Sequence, residues 1–179
     1  MDFYTEPSEN LSGEIEIPGD KSISHRAVIF GSLASGVSEF TNFLSGEDCL
    51  ATLNAFREMG VYTNLSDDKL IIHGVGINGL NEASKSLYLG NSGTSARLLV
   101  GLLGAQNFES TIEGDKSLSG RPMNRVLDPL ETMGANIQSN NGKLPIHIKS
   151  VNEVSGINYS LPVASAQVKS SLILASIYA

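Results

Sequence analysis

Two eight-residue segments of this sequence share six letters and place lysine, arginine and serine after a glycine. They are GDKSISHR at residues 19–26 and GDKSLSGR at residues 114–121. Ammonium and guanidinium groups bind phosphate and carboxylate, and serine hydroxyl groups add directed hydrogen bonds. The chain of 179 residues has only 12 lysines and arginines in all. Repeating such a cationic loop in a cation-poor chain indicates that the protein binds a small anion.

Three loops occupy equivalent positions, each between a predicted strand and a predicted apolar helix: PGDKSISHR, GNSGTSAR and VASAQVKS. Small residues at a helix start leave backbone N–H groups facing an anion, and the helix dipole favours negative charge there. The candidate cations are Lys21, Arg26, Arg97 and Lys169. The candidate hydrogen-bonding side chains are Ser22, Ser24, Thr94, Ser165 and Gln167. Ordinary helix capping is the alternative interpretation, but a cation in all three loops favours anion binding.

The order of predicted elements repeats along the chain. From Arg26 and again from Arg97 the pattern predicts an apolar helix, a strand, a loop, a second helix and a hairpin. The second helix of the second unit is predicted to open at Pro122, and SDDK and NNGK are predicted hairpin turns. INYSLPVASAQVKSSLILASIYA predicts a third strand, loop and helix, where the repeat stops, and LSGEIEIPG predicts an N-terminal strand without a partner. We therefore expect the chain to be part of a longer one.

Composition and charge exclude several classes of function. The formal net charge of −7 argues against non-specific binding to nucleic acid or to an anionic membrane. No signal peptide or membrane span is visible, so a cytoplasmic protein is expected. Cys49, the single cysteine, falls in an apolar helical stripe and is predicted to be core. The three histidines are far apart, which predicts no metal site, and GVGING at 74–79 reads as a glycine-rich connection because no βαβ unit surrounds it.

Four motifs in order resemble the EPSP synthase (3-phosphoshikimate 1-carboxyvinyltransferase) family: PGDKSISHRA, LGNSGTSARLL, EGDKSLSGRPM and PVASAQVKSSLILA. The resemblance covers essentially the whole chain and looks closer to the second bacterial class. It implies a mixed α/β fold of βαβαββ units around a pseudo-threefold axis, in two lobes of which this chain covers mainly one. Residues 19–179 would form the first lobe, with units at about 19–80, 84–150 and an incomplete one at 155–179. Residues 1–18 would give a strand to the second lobe.

The resemblance also implies a reaction, in the shikimate pathway that leads to chorismate and the aromatic amino acids. The enolpyruvyl group of phosphoenolpyruvate is transferred to the 5-hydroxyl of shikimate 3-phosphate and phosphate is released, without a metal or organic cofactor. The partners would be these small anions only, and the full-length protein would be a monomer. A UDP-N-acetylglucosamine enolpyruvyl transferase is the first alternative, disfavoured because residues 114–122 contain no cysteine. A non-catalytic anion-binding domain is the second, should the chain end at residue 179.

Roles follow from the resemblance position by position. The residues implied for shikimate 3-phosphate are Lys21, Ser22, Arg26, Ser165, Ala166 and Gln167. Those implied for phosphoenolpyruvate are Lys21, Asn91, Gly93, Thr94, Arg121 and Gln167, in a region also associated with the inhibitor glyphosate. Lys21 is the catalytic residue, and Gln167 contacts both substrates. Ala166 stands where the other class has serine, so only its backbone could bond. In the second GDKS segment only Arg121 receives a role, and Lys116 is expected to be solvated.

The family's acidic base and further cations belong to the second lobe. An isolated chain of 179 residues is therefore expected to be inactive.

Overall fold

Two repeat units and one further helix make up the computed structural model, which describes residues 2–7 and 9–179. The first unit contains α1 (Lys21–Leu33), β1 (Ser35–Phe40), α2 (Glu47–Glu58), β2 (Tyr62–Ser66) and β3 (Lys69–Val75). The second contains β4 (Leu87–Tyr88), α3 (Gly93–Leu103), β5 (Ser110–Glu113), α4 (Lys116–Ser119), α5 (Asn124–Thr132), β6 (Asn136–Ser139) and β7 (Ile146–Lys149). The last helix is α6 (Ala166–Ser176). The predicted mixed α/β fold is confirmed, and so is the order of helix, strand, helix and hairpin in both units.

Each unit forms its own sheet, and the two sheets have related strand orders. They are β1-β3-β2 and β4-β5-β7-β6, so the last hairpin strand of each unit lies between the other strands. All pairs are antiparallel except β4 with β5. Both predicted hairpin turns are confirmed. Asp67 turns the first with φ 53°, and Asn141 and Gly142 turn the second with φ 52° and 70°.

The helices and the inner sheet faces bury one hydrophobic core, which is mostly aliphatic. Its fully buried members come from both units and include Phe56, Leu70, Leu99, Leu103 and Ile112. Cys49 is also completely buried, as predicted. The starts of α1, α3 and α6, which carry the three predicted loops, lie close together at the edge of this core.

Three elements differ from the prediction. LSGEIEIPG forms no strand, and Ile15 and Ile17 are 80% and 63% exposed. INYS before α6 forms none either. An extended segment becomes a strand only when another strand takes its backbone N–H and C=O groups, and the described residues offer neither segment such a partner. The assignment of residues 1–18 to a second lobe stays a prediction, and Met1 and Ser8 lie outside the described residues.

The third difference concerns Pro122, which does not open the second helix. That helix, α5, begins at Asn124, and the short helix α4 forms before it within the second GDKS segment. The structure supplies the reason: the carboxylate of Asp115 accepts a hydrogen bond from the backbone N–H of Leu118 at 2.7 Å and caps a turn of its own. No helix in the part of the chain that the structure describes is long and apolar enough to cross a membrane.

Helix α3 packs closely against α6 because of one glycine. A Cβ placed on Gly101 would lie 2.2 Å from the carbonyl oxygen of Ser171. The Ser171 hydroxyl donates a 2.7 Å hydrogen bond to the carbonyl oxygen of Arg97. The contact holds the middle of α6 against the last turns of α3, and the starts of both helices carry predicted site residues.

Replacing this glycine tests the contact. Gly101→Ala should lower the free energy of unfolding by about 1–3 kcal/mol, the usual cost of overpacking. Alanine is the better helix former by about 1 kcal/mol, so a loss of stability would show that the steric clash dominates. Urea denaturation measures the change. Gly156→Ala, where the new methyl group meets open space, is the control, and equal stability of both variants would contradict the assigned packing.

Candidate functional site

A polar pocket of about 460 Å³ opens where the starts of α1, α2, α3 and α6 meet. Its wall is formed by Lys21, Glu47, Asp48, Asn91, Gly93, Thr94, Arg97, Arg121 and Gln167. All six residues that the resemblance implies for phosphoenolpyruvate are in this set. Residues from five separate parts of the sequence therefore surround a single cavity.

Helix caps hold the three loops in place. The Asp20 carboxylate accepts a 2.7 Å hydrogen bond from the backbone N–H of Ile23 at the start of α1. Ser92 caps α3 in the same way, and Ser165 caps α6. A cap satisfies backbone donors that the first helical turn leaves free. The capping residues Asp20, Ser92 and Ser165 thus lie next to residues that line the pockets or begin the helices, and they are occupied by the caps.

Two guanidinium groups converge over Gly93. A Cβ on this residue would lie 2.8 Å from Nη1 of Arg97 and 2.9 Å from Nη1 of Arg121. Arg121 donates a hydrogen bond to Oδ1 of Asn91, and Arg97 donates one of 3.0 Å to the carbonyl oxygen of Gly93. Burial, followed by the positive charges of Arg121 and Arg125, lowers the pKa of Arg97. An anion between the two guanidinium groups would relieve their repulsion.

Lys21 forms an ion pair with Asp48, the second residue of α2. Asp48 and its neighbour Glu47 line the pocket, and neither was among the predicted site residues. The repeat contains a signal for Asp48. It lies 73 positions before Arg121, within the offset of 71 to 74 that relates the two units. Equivalent loops therefore supply Asp48 and Arg121 to one pocket.

A second pocket, of about 280 Å³, adjoins the first between α1, α3 and α6. Its wall is formed by Ser22, His25, Arg26, Ile29, Phe30, Thr94, Leu98, Ala166, Gln167, Ser170, Ile173 and Leu174. Four residues implied for shikimate 3-phosphate line it: Ser22, Arg26, Ala166 and Gln167. The Gln167 amide donates a 2.9 Å hydrogen bond to the hydroxyl of Thr94, and both residues line both pockets. This pair separates the two cavities.

Some candidates from the sequence do not reach either pocket. Ser24 is buried, and its hydroxyl accepts a hydrogen bond from the backbone N–H of Leu44 at 3.1 Å, so it is not available to a ligand. Lys169 lines a separate, apolar pocket on the other side of α6. Ser165 lines neither pocket and caps α6. Lys116 is exposed outside both pockets.

A buried network of hydroxyl groups and one imidazole lies behind the pockets, and the sequence patterns did not predict it. His25 is fully buried, and its Nδ1 lies 2.8 Å from the hydroxyl of Thr52 on α2. That hydroxyl lies 2.7 Å from the hydroxyl of Ser95, which also contacts Ser92 and the carbonyl oxygen of Asp48. The network joins α1, α2 and α3 directly beneath the site. No local pattern signalled it, because its members are up to 70 positions apart.

Cys49 does not provide the nucleophile that the alternative transferase would need. It lies in the core beneath Lys21, and burial raises the pKa of its thiol to about 11. Within residues 2–7 and 9–179, no three His, Cys, Asp or Glu side chains are grouped so that they could hold a metal ion.

Burial of His25 makes stability depend on pH. Desolvation lowers its pKa from 6.5 to about 4, against a smaller raising effect of Asp48 and a lowering effect of Lys21. Below pH 6.5 the imidazole of His25 is protonated in the unfolded chain but stays neutral in the folded protein. The free energy of unfolding therefore decreases as the pH is lowered. Between pH 7 and pH 5 this one group should remove about 2 kcal/mol from the free energy of unfolding. Urea denaturation at both values should show that loss to be absent in His25→Asn. An equal loss in both proteins would contradict a neutral, buried imidazole.

Comparison with known proteins agrees with the fold and the motifs. A family model described as EPSP synthase (3-phosphoshikimate 1-carboxyvinyltransferase) matches residues 5–179. A 3-phosphoshikimate 1-carboxyvinyltransferase of Vesicomyosocius okutanii is 55% identical over 177 residues, which cover 99% of this chain and 41% of that protein. The 3-phosphoshikimate 1-carboxyvinyltransferase of Nitrosococcus oceani is 53% identical over 181 residues, which cover 41% of that protein.

A solved structure of the EPSP synthase of Acinetobacter baumannii superposes with a TM-score of 0.91 at 51% identity. The match covers 93% of this chain and 38% of that one. The chain therefore spans about 41% of the length of the curated relatives it matches. Matched along nearly all of its length by the family model, by these relatives and by this fold, the chain belongs to the EPSP synthase (3-phosphoshikimate 1-carboxyvinyltransferase) family.

Proposed function

We propose that the full-length protein transfers the enolpyruvyl group of phosphoenolpyruvate to the 5-hydroxyl of shikimate 3-phosphate and releases phosphate. The hydroxyl group gives up its proton as its oxygen adds to C2 of phosphoenolpyruvate, while C3 takes up a proton. Loss of a proton from C3 and of phosphate from C2 then restores the double bond. The family to which the chain belongs supports this reaction, and the two adjoining pockets support it physically.

The observation that carries the proposal is the polar pocket around Gly93. Phosphoenolpyruvate has a carboxylate and a phosphate close together, and planar guanidinium groups bind both in a bidentate manner. Arg97 and Arg121 converge within reach of one such anion, and Lys21 lines the same pocket. We assign phosphoenolpyruvate to this pocket.

We assign shikimate 3-phosphate to the adjoining pocket. Arg26 lines it, and its guanidinium group makes no hydrogen bond or ion pair within the described residues, so its charge is available for the phosphate. Aliphatic side chains such as Ile29 and Leu98 suit a carbocyclic ring. Gln167 and Thr94 form the partition and could contact both substrates. Holding two substrates side by side removes much of the entropic cost of their reaction.

Charge in the polar pocket favours an anion only modestly. Three cations, Lys21, Arg97 and Arg121, face two carboxylates, Glu47 and Asp48, which leaves a formal charge of +1. Bound phosphoenolpyruvate carries more negative charge than this. We therefore propose that a second lobe supplies further cations and the acidic base, and that residues 19–179 form the first lobe.

The Lys21–Asp48 pair is suited to proton transfer. An ammonium group that exchanges a proton with its surroundings must lie close to the reacting atoms and have a neighbour that stabilises both charge states. Lys21 is on the wall shared with the cations and bonded to a carboxylate. We propose Lys21 as the catalytic residue of this lobe.

We further propose that the full-length protein acts as a cytoplasmic monomer on small anions. The net charge of −7 disfavours nucleic acid and anionic membranes as partners. Cations placed inside a pocket rather than spread over a surface suit a small ligand better than a polyanion.

Turnover by the protein from the complete reading frame tests the proposal. Phosphate release with phosphoenolpyruvate and shikimate 3-phosphate should be readily measured and should require both substrates. Lys21→Ala should reduce kcat at least a hundredfold, in the usual range for a proton-transfer group. It should change the free energy of unfolding by less than about 1 kcal/mol, because its ion pair is half exposed.

Lys69→Ala is the matched control. Lys69 also forms an ion pair, with Glu39 on the first sheet, at a similar exposure and outside both pockets. Its removal should leave kcat unchanged. A folded full-length protein that releases no phosphate would refute the proposed reaction and favour a non-catalytic anion-binding role. Equal activity of both variants would refute only the role of Lys21.

A methyl group at position 93 tests the location of phosphoenolpyruvate. Gly93→Ala would push Nη1 of Arg97 and of Arg121 outward from under 3 Å. We expect KM for phosphoenolpyruvate to rise at least tenfold, while KM for shikimate 3-phosphate changes less than threefold. Steady-state kinetics with each substrate varied in turn measures both values. A larger rise for shikimate 3-phosphate would reverse the assignment of the pockets.

A further inference from the structure

The imidazole of His25 has one nitrogen without a partner. Its side chain is fully buried, and Nε2 makes no hydrogen bond within the described residues. Nδ1 is bonded to the hydroxyl of Thr52. A buried polar atom without a partner is costly and uncommon in folded proteins. Such an atom behind a ligand pocket calls for an explanation.

The hydrogen bonds of the network fix which nitrogen carries the proton. The carbonyl oxygen of Asp48 can only accept, so the Ser95 hydroxyl donates to it at 3.1 Å. Because a hydroxyl group has only one proton to donate, Ser95 must accept the hydrogen bonds from the hydroxyls of Ser92 and Thr52. The Thr52 hydroxyl thus donates its proton to Ser95, so it must accept a hydrogen bond from Nδ1 of His25. Only this assignment satisfies all four contacts.

The neutral ring therefore presents Nε2 as an acceptor. The low pKa of His25, about 4, keeps the ring uncharged near neutral pH. The two ring nitrogens point to nearly opposite sides, so Nε2 is directed away from α2, where Thr52 lies. His25 forms part of the wall of the second pocket, beside Ser22 and Arg26. The missing partner is a hydrogen-bond donor.

We propose that Nε2 of His25 accepts a hydrogen bond from a ring hydroxyl of the ligand in the second pocket. This inference rests on the proposed function, in which that ligand is shikimate 3-phosphate. Its hydroxyl groups are donors, whereas its phosphate and carboxylate are not, so His25 orients the ring and Arg26 holds the phosphate. Nε2 is shielded from water, and the hydroxyl reaches it through the small side-chain shifts common on binding.

Two substitutions separate this role from a purely structural one. In His25→Asn the amide NH₂ can take the place of Nδ1 and keep the bond to Thr52, but no acceptor remains at Nε2. In His25→Gln the amide oxygen can take the place of Nε2, but the bond to Thr52 is lost. Affinity for shikimate 3-phosphate is measured by titration calorimetry on the full-length protein, and thermal unfolding is measured alongside.

We expect His25→Asn to weaken the binding of shikimate 3-phosphate about tenfold, as the loss of one buried hydrogen bond does. KM for phosphoenolpyruvate and the melting temperature should change little. His25→Gln should keep the affinity within about threefold and lower the melting temperature. The reverse pattern, or a loss of affinity that follows the loss of stability in both variants, would overturn the proposal.

Deoxy ligands give an answer even if a variant fails to fold. Shikimate 3-phosphate lacking the 4-hydroxyl and its analogue lacking the 5-hydroxyl are titrated into the unsubstituted protein. One of them should bind about tenfold more weakly, and His25→Asn should no longer distinguish it from the parent ligand. Equal binding of all three ligands would overturn the role of His25 but leave the proposed function standing. No binding of shikimate 3-phosphate itself would overturn the proposed function as well.

Discussion

The Ser95 hydroxyl is the point on which the geometry of the site depends. It joins Ser92 at the start of α3, Thr52 in α2 and the backbone of Asp48. Through Thr52 it also reaches His25 in α1. A buried polar network stabilises only one arrangement of the elements it joins, because each unmade bond there is expensive. The starts of three helices are thereby held at fixed positions around the polar pocket.

That rigidity is needed because the pocket brings like charges together. Arg97 and Arg121 lie over one glycine, where their repulsion would separate them if their loops could move. The Asn91 side chain and the Gly93 carbonyl oxygen each hold one guanidinium group. Since the cost of assembling the cations is met during folding, a bound anion gains their full attraction without reorganising them.

Much of the site could be predicted from sequence because it is built from local motifs. A small polar loop before an apolar helix specifies a capped helix start, and the repeat specifies that several such starts occur. The two GDKS segments show that a local motif predicts local structure but not position in the fold. Both fold into an aspartate-capped turn, at Asp20 and at Asp115, yet Lys21 lines the pocket and Lys116 does not. The local structure is encoded in the eight residues, whereas the position of the lysine depends on the rest of the fold.

The same limit accounts for the other differences. Asp48 and His25 act through partners 27 positions away, Lys21 and Thr52, which no local periodicity relates. LSGEIEIPG has the alternation of a strand, but it cannot become one without a neighbouring strand to bond its backbone. Residues whose conformation is set by their own helix cap are predictable, and residues defined by a distant partner are not.

The repeat also explains how a duplicated scaffold can hold an unsymmetrical pocket. Equivalent loops before the second helices deliver a carboxylate at Asp48 and a guanidinium at Arg121. The Arg121 side, with Arg97, carries net positive charge. On the other side, Asp48 is paired with Lys21, and the neighbouring Glu47 adds a second carboxylate. The two equivalent loops thus give the pocket an uneven distribution of charge, with two guanidinium groups together over Gly93 and an ion pair at the start of α2.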